Sequence, residues 1–167
     1  MVVGGVLFQS LWLGRAAALL SVAFVIAYAV WGSGAWNLSS GSLQTTYGIA
    51  VVIFVVHASE EFLTGFQRQL PAFVGEHWSD AQYLVFNAAW LMTFVVAGWG
   101  LRRHQPLAVL IVLFLALGGG VANGIAHVLL VVAQRRYFPG GWTAPLCLIV
   151  GIALLRQLFT TPGTARG

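Results

Sequence analysis

Residues 47–66 read YGIAVVIFVVHASEEFLTGF, and this stretch decides what kind of molecule the chain forms. From Ile49 to Val56 every residue is apolar, and His57, Ser59, Glu60 and Glu61 then follow inside the same run. About 20 predominantly apolar residues is the length of helix that crosses a hydrocarbon layer roughly 30 Å thick. Comparable segments lie on either side, from about Trp12 to Trp31, Gln82 to Leu101, Leu107 to Gln134 and Trp142 to Phe159. Of the 167 residues, 59% are apolar and 7% are charged, whereas a soluble domain carries about 25% charged residues. Four acids and eight arginines cannot cover the surface of a globule this size. A disordered chain would be poor in apolar residues and rich in charge, the reverse of this one. The expected class is therefore all-α: one membrane-embedded domain over residues 1–167, a polytopic transmembrane bundle of about five spans. Its expected place is the cytoplasmic (inner) membrane, with the lipid bilayer as its surroundings.

The net charge of +4 is no nucleic-acid footprint, because the arginines stand singly or in pairs. They fall where apolar runs end, the position of headgroup anchors. With five spans, Arg15, Arg68, Arg135 and Arg136 fall on one side and Arg102, Arg103, Arg156 and Arg166 on the other. That balance leaves the orientation to the uncharged first linker, which favours a cytoplasmic N-terminus. Arg15, the run Ala16–Ile26 and Ala27-Tyr28-Ala29 imitate a cleavable signal, but the stretch before Arg15 is long and itself apolar. The first segment is therefore expected to persist as a helix. The single cysteine, Cys147, excludes an internal disulfide and a multi-cysteine metal site, and its apolar setting reads as a small buried hydrophobe. Glu76, His77, Asp80 and His104 fall in connections and read as solvated, and Gly118-Gly119-Gly120 permits a kink or a close helix neighbour.

The informative residues are the polar ones inside spans. A charge at mid-bilayer costs about 2.5–3.5 kcal/mol even on a lenient insertion scale, so two adjacent glutamates need partners or altered protonation. At about 100° per residue, Glu60 lies roughly 60° to one side of His57 and Glu61 roughly 40° to the other, so all three can face one cavity. The fourth segment adds Asn123 and His127, one turn apart, and the third adds Asn87 with Trp90 a turn later. At about 1.5 Å per residue, Glu61 and His127 lie roughly 7 and 10 Å past the midpoints of their segments, and Asn87 roughly 7 Å before its own. If the segments alternate in direction, all of these fall in one leaflet.

His57-x-x-Glu60-Glu61 followed by Asn123-x-x-x-His127 resembles the motifs of the HXXEE family of bacterial membrane proteins. Tyr137-Phe138-Pro139-Gly140-Gly141-Trp142-Thr143 is similar to the Tyr-Ser-Pro-Gly-x-x-Thr stretch that follows them in that family, with Phe138 in place of the serine. The likeness spans roughly Val51 to Leu155. It implies a multi-helix membrane bundle with His57, Glu60, Glu61, Asn123 and His127 as its signature, and it implies no reaction.

Intramembrane acids are functional by default, and imidazole and carboxylate at one-turn spacing suit zinc or iron. In the leading expectation, His57, Glu61 and His127 ligate such a divalent metal. Glu60 is then a base or fourth ligand, and Asn87, Trp90, Asn123 and Tyr137 bind or orient a lipophilic small molecule. The reaction is a hydrolysis or an oxidation. A metal-free acid–base isomerase or cyclase of a terpenoid-like substrate uses the same His57, Glu60 and Glu61. A proton-coupled carrier, or a cofactor-binding subunit of a larger membrane complex, is the reading from another class. Self-association is left open.

Overall fold

The structure, a computed structural model, describes Gly14, residues 18–36 and residues 42–160. Among these residues every regular element is a helix. Helix α1 covers Ala18–Gly32, α2 Leu43–Thr64, the short α3 Phe66–Ala72, and α4 Asp80–Arg102. Helix α5, Pro106–Phe114, runs through a π-helical stretch, Leu115–Ala122, into α6, Asn123–Gln134, and α7 covers Ala144–Phe159. The boundaries have local causes. Gly65, with φ of 89°, ends α2 in the left-handed conformation that glycine adopts without a Cβ penalty. A reciprocal capping box starts α4: the Gln82 amide donates to Ser79 Oγ, and the Ser79 amide donates to Gln82 Oε1. Proline at the first position of α5 costs nothing, because that N–H has no helical partner.

The helical class and the polar-in-apolar pattern agree with the sequence expectation, but the spans do not all have the expected form. Three continuous helical runs, Leu43–Thr64, Asp80–Arg102 and Pro106–Gln134, are long and apolar enough to cross a membrane. Helix α7 has 16 residues, about 24 Å of rise, which is short of the hydrocarbon thickness. The expected count of about five spans is thus reduced, among the described residues, to three helices of sufficient length; before α7 the chain runs irregularly through residues 137–143, where Phe138, Pro139 and Gly140 are buried. The described part of the first segment is the 15-residue α1; Trp12, Arg15 and the signal-like start of that segment lie outside the described residues. The connection after α2 also departs from expectation. It folds as α3 with Gln67 and Pro71 buried. Asp80 is the first residue of α4 and accepts from Gln67 Nε2 at 2.8 Å, with Arg68 Nη1 at 3.4 Å.

The run Pro106–Gln134 is the central member, 61% buried over its most apolar window. Val109, Val112, Leu113 and Ala116 have no exposed surface, and Leu154 and Leu158 of α7 join them in the core. The glycine run serves close approach: a Cβ on Gly120 would lie 2.6 Å from Gly151 Cα, and one on Gly151 2.7 Å from the Ala116 carbonyl oxygen. Such backbone contact is how membrane helices pack when little distinguishes side chains from lipid. The π-turns in the same stretch add a residue per turn and rotate α6 relative to α5. The face of α6 that carries Asn123 and His127 is thereby presented to α2.

Candidate metal centre

His57 and Glu61 stand one turn apart on α2, and His127 comes from α6; all three are buried. Glu61 Oε1 lies 3.0 Å from His127 Nε2 and 3.4 Å from His57 Nε2. One ligand-capable atom of each residue lies within 4.8 Å of the others. Tetrahedral zinc with bonds of about 2.1 Å places its ligand atoms about 3.4 Å apart, so the spacing suits a small cation. The two imidazoles meet edge to face, 4.9 Å between centroids. Phe66 stacks on His127 at 5.6 Å, and the fully buried Phe138 packs beside it. Gly140, with φ of 87°, lies across both histidines, and a Cβ there would fall 2.6 Å from His127 Cε1 and 2.8 Å from His57 Cε1. The centre is thus walled by aromatic rings and roofed by bare backbone.

Polar partners meet both ring nitrogens of His57. Asn123 Nδ2 lies 2.6 Å from His57 Nε2, and with the amide nitrogen assigned as the donor that ring nitrogen carries the lone pair. The proton is then on Nδ1, which donates to Thr143 Oγ1 at 2.7 Å. Thr143 in turn donates its hydroxyl proton to Glu60 Oε2. Metal-binding histidines commonly have the far N–H tied to a carboxylate chain in this way; here the near nitrogen is engaged with Asn123. Glu61 is held from its other oxygen by Tyr83, whose hydroxyl donates to Oε2 at 2.6 Å. His127 Nδ1 is buried and has no hydrogen-bond partner.

Glu60 occupies different surroundings from its neighbour. It accepts from Tyr137 Oη at 2.6 Å, from the backbone N–H of Trp142 and of Thr143 at 2.9 Å each, and from the Thr143 hydroxyl. Those backbone donors lie just before α7, Thr143 being its N-cap residue, where the helix dipole favours an anion. One glutamate of the pair therefore faces the histidines, and the other fastens the 137–143 turn that covers them.

The sequence model of a family described as a protein of unknown function with HXXEE motif matches residues 48–154. The chain belongs to the HXXEE family. Comparison with curated proteins and comparison with solved structures each give no match. The histidine and the second glutamate of the HXXEE motif are two members of the buried cluster, and the first glutamate is the clasp on the turn.

Other residues singled out in the HXXEE sequence fall in several places. Asn123 touches His57, and Tyr137 reaches Glu60, not the cluster. Asn87 spends its Nδ2 on the Tyr83 carbonyl oxygen, 3.0 Å away on its own helix. Trp90 is turned into the core, stacked on Phe114 at 4.3 Å and on Phe94 at 5.6 Å. Neither reaches the cluster: Tyr83 is the α4 residue at its level, and Asn87 and Trp90 lie about one and two turns further along the helix. Tyr83, Thr143 and Gly140 were not singled out individually. The signal for Tyr83 was its place one turn before Asn87, and that for Thr143 and Gly140 was the Tyr137–Thr143 motif. Phe138, standing where the family pattern has serine, fills the space beside His127 with a ring. Cys147 is buried as expected, and its side chain lies beside His57.

Proposed function

We propose that this protein is a multi-pass enzyme of the cytoplasmic membrane in which His57, Glu61 and His127 hold a divalent zinc or iron ion. The ion assists hydrolysis or oxidation of a lipophilic small molecule. The observation that carries this reading is the convergence of two buried imidazoles on one buried carboxylate oxygen. With Nε2 of His57 unprotonated, a lone pair and a carboxylate oxygen face each other across 3.4 Å. A cation between them turns that repulsion into attraction and compensates the burial of the acid. Binding requires the Asn123 amide to swing off His57 Nε2. A bound ion supplies Lewis-acid polarisation of a substrate oxygen or activation of a water. The chain's own groups do the rest. Thr143 and Glu60 hold His57 in the ligating tautomer, Tyr83 fixes one oxygen of Glu61 so that the other points inward, and the aromatic walls exclude bulk water.

The experiment is elemental analysis of detergent-purified protein after equilibration with zinc or ferrous ion. About one ion per chain is expected in wild type, falling to roughly a tenth or less in Glu61→Gln and in His127→Ala. Equal content in all three proteins overturns the metal reading. The metal-free acid–base reading has its own support in the Tyr83–Glu61–His127 hydrogen-bonded row. It requires catalysis that survives chelation.

A further inference from the structure

Helices α2 and α4 touch closely at one end of their seam. There the Tyr47 ring lies against Gly98, where a Cβ would come within 3.3 Å of it, and the Tyr47 hydroxyl donates to the Phe94 carbonyl at 2.8 Å. Toward the cluster a groove of about 390 Å³ opens along the seam, with the small side chains Ala58, Ser59 and Ala88 in its lining. That volume is at the low end of small-molecule sites, which run from about 300 to 1,000 Å³.

Three features of the groove restrict its occupant. Its mouth is flanked by exposed apolar side chains, Leu63 and Leu84 among them, on two helices able to cross a membrane, so it opens onto hydrocarbon. Its lining contains no charged residue, so nothing there meets a phosphate or carboxylate head. Its inner wall is Tyr83, 2% exposed, whose hydroxyl donates to Glu61 and lies 3.0 Å from the Ala58 carbonyl oxygen. One side chain therefore separates the groove from the buried cluster. Asn87 stands beside it with its amide nitrogen engaged, which leaves the amide oxygen as an acceptor on the groove wall.

We propose that this groove seats the hydrocarbon tail of a single-chain lipophile, fatty or isoprenoid, bearing a small uncharged oxygen head. The molecule enters sideways from the bilayer, and its head meets Tyr83 and Asn87 at the threshold of the cluster. This assignment rests on the cluster being the reaction centre, and it names the substrate class and the entry route. The narrow volume admits one chain, and the uncharged wall selects against anionic heads.

The test uses the full chain in phosphatidylcholine vesicles with a diazirine-bearing fatty alcohol as probe, the labelled residues being mapped by peptide mass spectrometry. Label is expected to concentrate on Ala58, Phe62, Leu84 and Ala88 over the open lipid face at Val52, Val95 and Ile149. Ala88→Trp and, as a smaller change elsewhere on the wall, Ser59→Phe fill the groove. Each is expected to lower that labelling about tenfold, the scale of losing one to two buried methylene contacts, while ion content stays at the wild-type value. Uniform labelling of all lipid-facing residues, or labelling unchanged in both variants, overturns the proposal. Equal concentration of a diazirine-bearing diacyl phospholipid in the groove overturns the single-chain assignment. The two readings fail separately. Groove-specific, variant-sensitive labelling of a chain that binds no ion leaves the groove standing and removes the metal, and ion binding with diffuse labelling does the reverse.

Discussion

At the scale of single residues, the two adjacent glutamates divide their work. Glu61 belongs to the buried cluster and Glu60 to the turn above it. Glu60→Gln replaces an acceptor by a group that presents N–H to N–H donors. It also removes the carboxylate at the far end of the His57–Thr143–Glu60 chain. Because the ligating atoms remain, ion binding is expected to weaken about 10–100-fold, the usual effect of losing an outer partner, without being abolished as in Glu61→Gln. Isothermal titration with zinc separates the two, and equal loss in both variants would make Glu60 a direct ligand. Tyr137 tests the same contact through pH. Its hydroxyl is shifted upward, first by desolvation and then by the Glu60 carboxylate that it donates to. The stabilising contact is therefore complete below the ordinary tyrosine value of about 10 and is lost only as pH rises through the higher folded value. Difference titration of phenolate absorbance between wild type and Tyr137→Phe is expected to show one tyrosine ionising later than a free one.

At the scale of elements, the π-helical stretch and the Gly120–Gly151 contact set the position of α6. A Cβ at Gly151 meets the backbone of Ala116 and of Val121 at under 3 Å, and backbone cannot swing aside as a side chain does. Gly151→Ala is expected to destabilise the bundle by about 1–3 kcal/mol, the range for overpacking, and to weaken ion binding by shifting His127. Gly48 is also helical, with nothing within 4 Å of its virtual Cβ. Gly48→Ala is expected to stabilise by roughly 0.5–1 kcal/mol. Denaturant titration of the two variants in detergent gives opposite signs if the contact is the cause, and equal signs otherwise. Depth arithmetic had a partial success. Bringing Glu61 and His127 to one level needed only rise per residue. Excluding Asn87 needed the neighbour that its amide in fact binds.

At the scale of the whole molecule, the Pro106–Gln134 run is long and apolar enough to cross a membrane, and its ends would then lie on opposite sides. Exposed Gln105 and Arg136 flank it. In a Cys147→Ala background, Gln105→Cys and Arg136→Cys are expected to react with an impermeant maleimide from opposite faces of oriented vesicles. Reaction from one face would show that the run does not cross. The cluster lies toward the Arg136 end, since α2 ends there one turn beyond Glu61 and the 137–143 turn descends onto it. Trp142, exposed beside Tyr137, stands at that end, and Trp99 with Arg103 stacked 3.7 Å over its ring stands at the other. Aromatic residues at both levels are the expected boundary of a spanning bundle.

Composition and apolar run length determined the membrane class and the helical segments, because each helix satisfies its own backbone and hydrocarbon tolerates little else. The HXXEE and Asn-x-x-x-His motifs also marked the residues of the cluster, because ionisable groups at bilayer depth are costly enough to stand out singly. Tertiary structure decided which atoms face one another. Glu60 and Glu61 are alike in type and adjacent in sequence, and only the approach of the 137–143 turn and of His127 assigns them different partners. The groove at Tyr83 was likewise outside the reach of sequence, since a void between helices depends on how two backbones diverge, and no residue type encodes that alone.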